Sequence, residues 1–270
     1  MDISSDSYLN SSLKHKTQAF LMDIAGVSVV ACSLLLTGCG GSSSNDKDSA
    51  LQTDSVLGIW FGQATTGKDG QEAIVIAVSP EGKAIMFSEV SHNTLIAHGS
   101  VSENIFSSDD TMLYPGTGMT RQGAMQVTAV EDSLEGSATV SDGGLGFSTA
   151  KVGSSNDVSL IDIAGNYSSS WTEGSYTRSF AIDADGIISG SDTNGCVFSG
   201  TAEPISGVTA IFSITVKADV CFEDFVYEGL LAYGVFPFEF QNSINDRKGI
   251  VIAAEEPSRA YAFYQFSPQE

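Results

Sequence analysis

The chain has 270 residues, with 33 Asp and Glu against 12 Lys and Arg, and a formal net charge of −21 at pH 7. This acidity argues against nucleic-acid binding, which requires basic patches, and disfavours adhesion to anionic lipid surfaces. Apolar residues make up 42% of the chain and only 17% is charged, which favours a folded core over disorder. The abundance of glycine and small hydroxyl residues is typical of extracytoplasmic β proteins.

The first element in chain order is a polar leader that carries the basic residues Lys14 and Lys16. An apolar run of 14 residues follows at 24–37. A basic region, a short apolar run and a small residue before the cleavage point are the marks of a secretory signal. The run is shorter than the ~20 residues that cross a bilayer comfortably. We therefore predict that residues 1–38 form a signal helix that is removed.

The segment Leu36-Thr37-Gly38-Cys39 resembles the lipobox of bacterial lipoproteins. The resemblance implies cleavage between Gly38 and Cys39 and attachment of acyl chains such as palmitate to Cys39. Residues 39–53, rich in Gly and Ser, then form a flexible tether. Gly40 stands where Asp would imply inner-membrane retention, so we expect a lipid anchor in the outer membrane, on the periplasmic or cell-surface side. An uncleaved anchor and an ordinary signal with a chance cysteine are the alternatives.

Four cysteines are present, and the lipoprotein interpretation gives each a place. Cys32 leaves with the signal and Cys39 carries the lipid, so Cys196 and Cys221 remain as a pair. An even pair in an oxidising compartment predicts a disulfide, which would close about 25 residues and stabilise the fold by roughly 3 kcal/mol. A metal or redox pair is the alternative, but neither CxxC spacing nor a nearby His supports it.

Short alternating runs separated by Gly, Asp and Asn fill the rest of the chain, as in antiparallel strands. We assign eight such runs to a first domain at 54–154 and eight to a second at 158–268. The fifth run of the first domain, Thr111–Tyr114, is short. No segment longer than about ten residues keeps a helical period. The sequence predicts an all-β protein of two tandem antiparallel eight-stranded barrel-like units, similar to calycins and lipocalins, with a two-sheet sandwich as the alternative.

The two halves also match each other in sequence, which indicates a tandem repeat. The matched pairs are Gly58 and Gly165, Gly82 and Gly186, and Gly99 and Gly200, at offsets of 107, 104 and 101. An aromatic residue follows the first glycine of each half, Trp60 and Tyr167. We expect each of these rings to plug one end of a barrel.

The second half contains Gly165-Asn166-Tyr167, Ile182-Asp183-Ala184-Asp185-Gly186, Gly190-Ser191-Asp192-Thr193-Asn194-Gly195-Cys196, and Tyr227-Glu228-Gly229-Leu230. This order resembles a group of uncharacterised proteobacterial lipoproteins with the motifs GxY, IDxxG, GSDxNGC, a later Cys and YxGL. The resemblance covers most of residues 158–266 and implies fold and location but no activity. The aromatic run Phe236–Phe240 departs from the group's polar turn, and we expect an exposed lip or a packed loop there.

Three aspartates crowd two neighbouring turns of the second half and are weak candidates for a metal site. Asp183, Asp185 and Asp192 could offer oxygens to Ca²⁺, which takes six to eight ligands. The chain has no DxDxDG loop with a distal Glu, and Asp-Gly is a strong hairpin signal. We therefore interpret these residues as turn formers and predict no cofactor.

Two histidines remain in the mature chain, His92 and His98, and both flank one predicted strand. The chain has neither GxSxG nor HExxH, so we interpret both as surface or rim residues and predict that the protein is not an enzyme. Trp60 and Trp171 could stack on sugars or apolar ligands, although we favour core anchors. The enzyme hypothesis would require a nucleophile beside His92 or His98.

These observations favour a non-catalytic binding or structural module at the cell envelope. Its expected partners are the membrane, through lipid on Cys39, and either envelope proteins or a small apolar ligand. One alternative is a lipocalin-like carrier with an apolar cavity. Another is an enzyme inhibitor similar to the lysozyme-inhibitor lipoproteins, because an acidic surface suits a basic enzyme, although the signatures of that group are missing.

Overall fold

The structure, a computed structural model, describes residues 55–270 apart from residues 67–69, 89–90, 117–118, 142, 153–157, 172–175, 220–224 and 241–242. For residues 66, 171, 239–240 and 243–244 it describes the backbone but not the side chains. The predicted signal, the lipidation site at Cys39 and the tether lie outside the described residues. So does the predicted boundary between the two domains. Residues 50–270 form one compact unit.

The first half of this unit is a closed up-and-down barrel of eight antiparallel strands. Each strand pairs with its neighbours in the chain, and β1 also pairs with β8, from Trp60 opposite Lys151 to Thr66 opposite Leu145. The strands are β1 (Gly58–Thr66), β2 (Gly70–Val78), β3 (Lys83–Ser88), β4 (Thr94–Ser102), β5 (Ile105–Tyr114), β6 (Arg121–Val130), β7 (Ser133–Val140) and β8 (Gly143–Lys151).

The second half is a sheet of eight antiparallel strands in sequence order, which nearly closes into a second barrel. Its first and last strands meet at a single bridge between Tyr167 and Gln269. A one-turn helix, α1 (Leu160–Ile163), precedes it. The strands are β9 (Gly165–Trp171), β10 (Tyr176–Ile182), β11 (Ile187–Asp192), β12 (Val197–Pro204), β13 (Ile211–Asp219), β14 (Val226–Phe240), β15 (Ser243–Glu255) and β16 (Ala262–Pro268).

The predicted all-β fold of two barrel-like units is therefore confirmed, and the sandwich alternative is wrong. All sixteen predicted strands are present, although some bounds differ. The strand predicted at Thr111–Tyr114 begins six residues earlier, at Ile105, and passes through a register shift between Ser108 and Thr111. No helix among the described residues is long and apolar enough to cross a membrane.

The tandem repeat extends to the hydrogen bonds of the first strand in each half. The indole Nε1 of Trp60 donates to the carbonyl oxygen of Val56 at 3.0 Å, and the hydroxyl of Tyr167 donates to that of Ile163 at 2.6 Å. Both aromatic side chains are buried in the core of their sheet. The expected aromatic plugs are thus found at equivalent positions, with the offset of 107 between them.

The turns after β2 and β10 repeat as well, and they correct one of the three sequence matches. Gly82 and Gly186 both have positive φ, 76° and 81°. The carbonyl oxygen of Gly82 accepts from the N–H of Gly99, and that of Gly186 accepts from the N–H of Ala202. Gly99 therefore corresponds to Ala202, and the predicted match of Gly99 with Gly200 is wrong by two residues. Spaced Gly and Ser residues in both strands made the shifted match look equally good.

Each sheet has an apolar core of its own. The inward side chains of the first barrel include Trp60, Met86 and Phe106, and those of the second sheet include Tyr167, Phe198 and Phe212. Large aromatic and aliphatic residues fill small barrels in this way when strands alternate inward and outward positions.

A third apolar layer joins the outer faces of the two sheets. Phe87 of β3 contacts Tyr264 and Phe266 of β16, with ring centroids 5.8 and 5.6 Å apart. Phe236 and Phe238 of β14 belong to the same layer and are buried. The run at 236–240 is therefore neither a lip nor a loop: its backbone is the end of a long strand paired with β15, and the side chains of Phe236 and Phe238 pack between the barrels.

Candidate functional site

Five polar residues meet at the margin of the apolar layer between the barrels, and we call them the rim cluster. His98 lies on β4 and Asp110 and Tyr114 lie on β5 of the first barrel. Glu255 ends β15, and Arg259 lies in the turn before β16. Antiparallel pairing places His98 opposite Asp110 on adjacent strands, so both face the second sheet.

Glu255 is the centre of the rim cluster, and its side chain is only 7% exposed. His98 Nε2 lies 2.6 Å from Glu255 Oε1, and the hydroxyl of Tyr114 donates to Glu255 Oε2 at 2.5 Å. Arg259 Nε donates to the same carboxylate at 3.3 Å, while its Nη1 contacts Asp110. One carboxylate of the second sheet is thus held by two side chains of the first barrel.

The surroundings of the rim cluster set its ionisation. Burial opposes the charge of Glu255, but hydrogen bonds from His98 and Tyr114 and the nearby charge of Arg259 outweigh it, so its pKa lies below 4.5. Burial, and then the hydrogen bond to Glu255, raises the pKa of Tyr114 far above 10.0. Glu255 is therefore ionised and Tyr114 is neutral at pH 7.

The contacts of the rim cluster join the first barrel to the second sheet. A carboxylate that orients a histidine is the base of many hydrolases, but the base then needs a nucleophile within hydrogen-bond reach. Among the described residues, no Ser, Thr or Cys side chain is bonded to the ring of His98. The nearby Ser108 hydroxyl donates instead to the backbone carbonyl of His98, at 2.7 Å.

A groove of about 490 Å³ opens beside the rim cluster, between the loop after β5 and the start of β16. We call it the seam groove. Tyr114 belongs both to it and to the rim cluster. No lining residue carries a formal charge, and three are tyrosines. The lining residues are Tyr114, Pro115, Met119, Thr120, Ala260, Tyr261, Ala262 and Tyr264.

Two further cavities lie on the outside of the molecule. One of about 640 Å³ runs along the outer face of β1 and β8, beside Phe61, Gln63 and Ser148. One of about 400 Å³ lies beside Lys151 and Thr209. The described side chains inside each sheet form continuous apolar clusters, so the three cavities lie around the barrels rather than inside them.

Two of the three aspartates proposed as weak metal ligands, Asp183 and Asp192, stabilise their own turns through their side chains. Asp183 Oδ1 accepts from the backbone N–H of Asp185 and of Ile187, at 2.9 and 2.8 Å. Asp192 Oδ1 accepts from the N–H of Asn194 and Cys196, and its other oxygen accepts from Tyr176. No group of three or more His, Cys, Asp or Glu side chains that could hold a metal is found in the described part of the chain.

The structure separates the two histidines that the sequence grouped together. His98 is 38% exposed and belongs to the rim cluster, in line with its interpretation as a surface or rim residue, but the sequence did not indicate its contact with Glu255. His92 lies in the loop before β4 with a φ of 53° and contacts Phe87. Burial lowers its pKa. Trp60 is the expected core anchor, whereas the side chain of Trp171 lies outside the described residues.

One cysteine of the predicted disulfide, Cys196, lies in the described part of the chain. Cys196 is buried at the start of β12, and the following residue, Val197, pairs with Asp219 at the end of β13. Cys221 lies outside the described residues, two positions beyond Asp219. The bond between Cys196 and Cys221 stays a prediction.

Comparison of the chain with protein-family models, with curated proteins and with solved structures finds no match. The resemblance to proteobacterial lipoproteins therefore stays a prediction from its motifs. The sequence did not indicate that the five residues of the rim cluster meet. The signal that could have found its location is the apolar stretch Ile74–Val78, since consecutive apolar residues indicate a strand buried on both faces.

Proposed function

We propose that this protein is a lipid-anchored module of the cell envelope that binds another molecule and has no catalytic activity of its own. The observation that carries the proposal is the seam groove, an open cavity with an uncharged, aromatic lining between two rigidly packed barrels. Binding sites are concave, largely apolar and built on rigid elements.

The proposed location rests on the N-terminal sequence. Lipidation at Cys39 and the tether at 39–53 would hold residues 55–270 at a distance from the outer membrane. Labelling growing cells with an alkyne palmitate tests this: the full chain should incorporate the label, and the Cys39→Ser variant should not. Equal labelling of both would contradict the anchor.

Binding is tested by photo-crosslinking in intact cells from a benzophenone residue placed at Met119, on the seam groove. The matched control carries the same residue at Ile187, which is 50% exposed on the second sheet, away from the groove. We expect a discrete adduct from Met119 alone. Absence of any adduct, together with turnover of an ester or glycoside substrate that His98→Gln abolishes, would replace the proposal with an enzyme.

The lipocalin-like carrier is the alternative that the interior packing disfavours. A carrier needs an apolar cavity inside a barrel, whereas aromatic and aliphatic side chains cluster throughout both interiors. Native mass spectrometry of the protein purified without detergent should show no bound lipid. A stoichiometric lipid mass would restore the carrier alternative.

A further inference from the structure

We infer that the seam groove receives an exposed segment of a partner protein that carries Lys or Arg. The inference rests on the proposed function, because it names the class of partner that the same site would bind. It depends on the exposure of the groove walls, on the way the aromatic rings are held, and on the charges around them.

The walls of the seam groove expose apolar side chains far beyond what folding requires. Met119 is 84% exposed and Tyr261 is 52% exposed, and they stand on opposite sides of the groove, one from each barrel. Met and Tyr are enriched in protein interfaces, where they supply contact area around a polar rim. Their placement on one cavity indicates a docking surface for a protein.

The aromatic wall is rigid before any partner arrives. The ring of Tyr261 stacks on Phe225 with centroids 5.4 Å apart, and Phe225 packs edge-on against Tyr227. Glu256 Oε1 accepts from the backbone N–H of Ala260 at 2.7 Å and from that of Tyr261 at 3.3 Å. A side chain held in this way loses little conformational entropy when it binds.

The tyrosine rings at the groove offer faces that a cation can contact. The hydroxyl of Tyr114 already donates to Glu255, so that hydroxyl is not available as a donor to a ligand. An aromatic face attracts Lys and Arg through its quadrupole. A guanidinium or ammonium group therefore matches what this lining offers.

The charges behind the groove have the sign that such a partner needs. Asp110, Glu255 and Glu256 lie around Arg259, whose guanidinium contacts both Asp110 and Glu255. Three carboxylates against one guanidinium leave a local excess of negative charge, which a proton on His98 would reduce but not remove, in a chain whose net charge is −21. Such a field attracts basic partners and repels acidic ones, and it weakens as salt is added.

The test uses the full chain and a short fluorescent peptide of alternating Gly and Arg. Fluorescence anisotropy should show saturable binding that weakens about tenfold between low and physiological salt. A peptide with Gln in place of Arg should bind about tenfold more weakly. A peptide with Glu in place of Arg should not bind. A benzophenone at Met119 should crosslink to the Arg peptide, whereas one at Ile187 should not.

Matched variants locate the site. Tyr261→Ser should weaken binding of the Arg peptide about tenfold, the loss expected for one aromatic contact at an interface. Tyr261→Phe, which keeps the ring, should retain the affinity, and Ile187→Ser should leave it unchanged. Thermal unfolding of each variant shows whether the fold is intact, so that lost binding is not mistaken for lost structure.

Three results would overturn the inference. The first is equal binding of the Gln and Arg peptides, the second is unchanged affinity in Tyr261→Ser, and the third is crosslinking from Ile187 as strong as from Met119. If a cellular adduct still forms at Met119 in that case, only the inference about a basic segment fails. If that adduct is absent as well, the proposed binding function fails with it.

Discussion

The two barrels share their strand order but close in different ways. The first closes with a backbone ladder of seven residue pairs between β1 and β8. In the second, β9 and β16 share one bridge, and side chains provide much of the remaining closure. Gln269 Nε2 donates to the carbonyl oxygen of Ala164 at 2.7 Å. Arg178, whose side chain lies inside the sheet, donates from Nη1 to the carbonyl oxygen of Tyr264 at 2.8 Å.

The comparison shows that a repeated barrel can lose part of its closing ladder when polar side chains satisfy the freed backbone groups. Buried carbonyl groups must find a donor, but the donor need not be a backbone amide. Side-chain closure depends on single residues, whereas a ladder distributes the same task over a strand. The second barrel should therefore be more sensitive than the first to single polar substitutions at its closing edge.

The largest effect is expected from removal of the equivalent aromatic plugs. Trp60→Ala should lower the free energy of unfolding by about 4 kcal/mol, since it leaves a large cavity in a packed core. Tyr167→Ala should cost a similar amount if the two plugs are truly equivalent. Urea denaturation measures both, with Ile161→Ala, which truncates a side chain that is 73% exposed, as the control. A loss below about 1 kcal/mol for either plug would break the equivalence.

The repeated turns provide the next test. A Cβ at Gly82 would lie 2.2 Å from the carbonyl oxygen of Gly99 on β4, and one at Gly186 would lie 2.4 Å from that of Ala202 on β12. Both glycines have positive φ. Gly195 also has positive φ but has open space around it. Gly82→Ala and Gly186→Ala should each cost about 3 kcal/mol, against about 1 kcal/mol for Gly195→Ala. Equal losses of stability at all three positions would show that the contact between the added Cβ and the carbonyl oxygen does not destabilise the fold.

A smaller effect should distinguish the two closing edges. Gln269→Ala removes hydrogen bonds to Asp162 and Ala164 and the one from Tyr233, which should cost about 2 kcal/mol. Amide hydrogen exchange should accelerate in β9 and β16 and stay unchanged in β1 and β8. The matched control is Gln63→Ala, an exposed glutamine on the closed edge of the first barrel. Similar exchange in both variants would argue against side-chain closure.

The smallest effect concerns pH and the contact between the barrels. The pKa of Glu255 is depressed by folding, so its stabilising contribution is complete above 4.5 and is lost as the pH falls through the folded value. The free energies of unfolding of wild type and Glu255→Gln, measured with urea, should converge by on the order of 1 kcal/mol as the solution is acidified from pH 7 to below that value. Asp246→Asn, which alters an exposed carboxylate, should show no such convergence.

Much of the fold could be predicted from the sequence, because hairpin strands leave local signals. Asp-Gly turns and alternating runs indicated all sixteen strands, and the plug residues Trp60 and Tyr167 stand at matching points of the repeat. The ends of β14 and β15 were missed because their alternation is interrupted by Pro237 and by charged residues such as Asp246. Pairing of the two long strands with each other overrides these local signals.

The rim cluster could not be predicted, because nothing local joins its members. His98 and Glu255 are separated by 157 positions, and their contact depends on how one barrel lies against the other. No motif describes such a pair, since each residue taken alone has the surroundings of an ordinary surface residue. The turn-forming aspartates Asp183 and Asp192 were easier, because their backbone partners lie within four residues of them.

The strands that are buried on both faces also bear on the order in which the protein matures. Synthesis supplies β1–β8 first, yet the outer face of that barrel, with Val75, Ile85, Phe87 and Ile96, is covered only by strands of the second half. A polypeptide in which only the first barrel has formed therefore exposes an uncovered apolar surface until the strands up to β16 are in place. The first half should therefore not be a self-sufficient folding unit, and a gene truncated after the first barrel should yield an aggregating product.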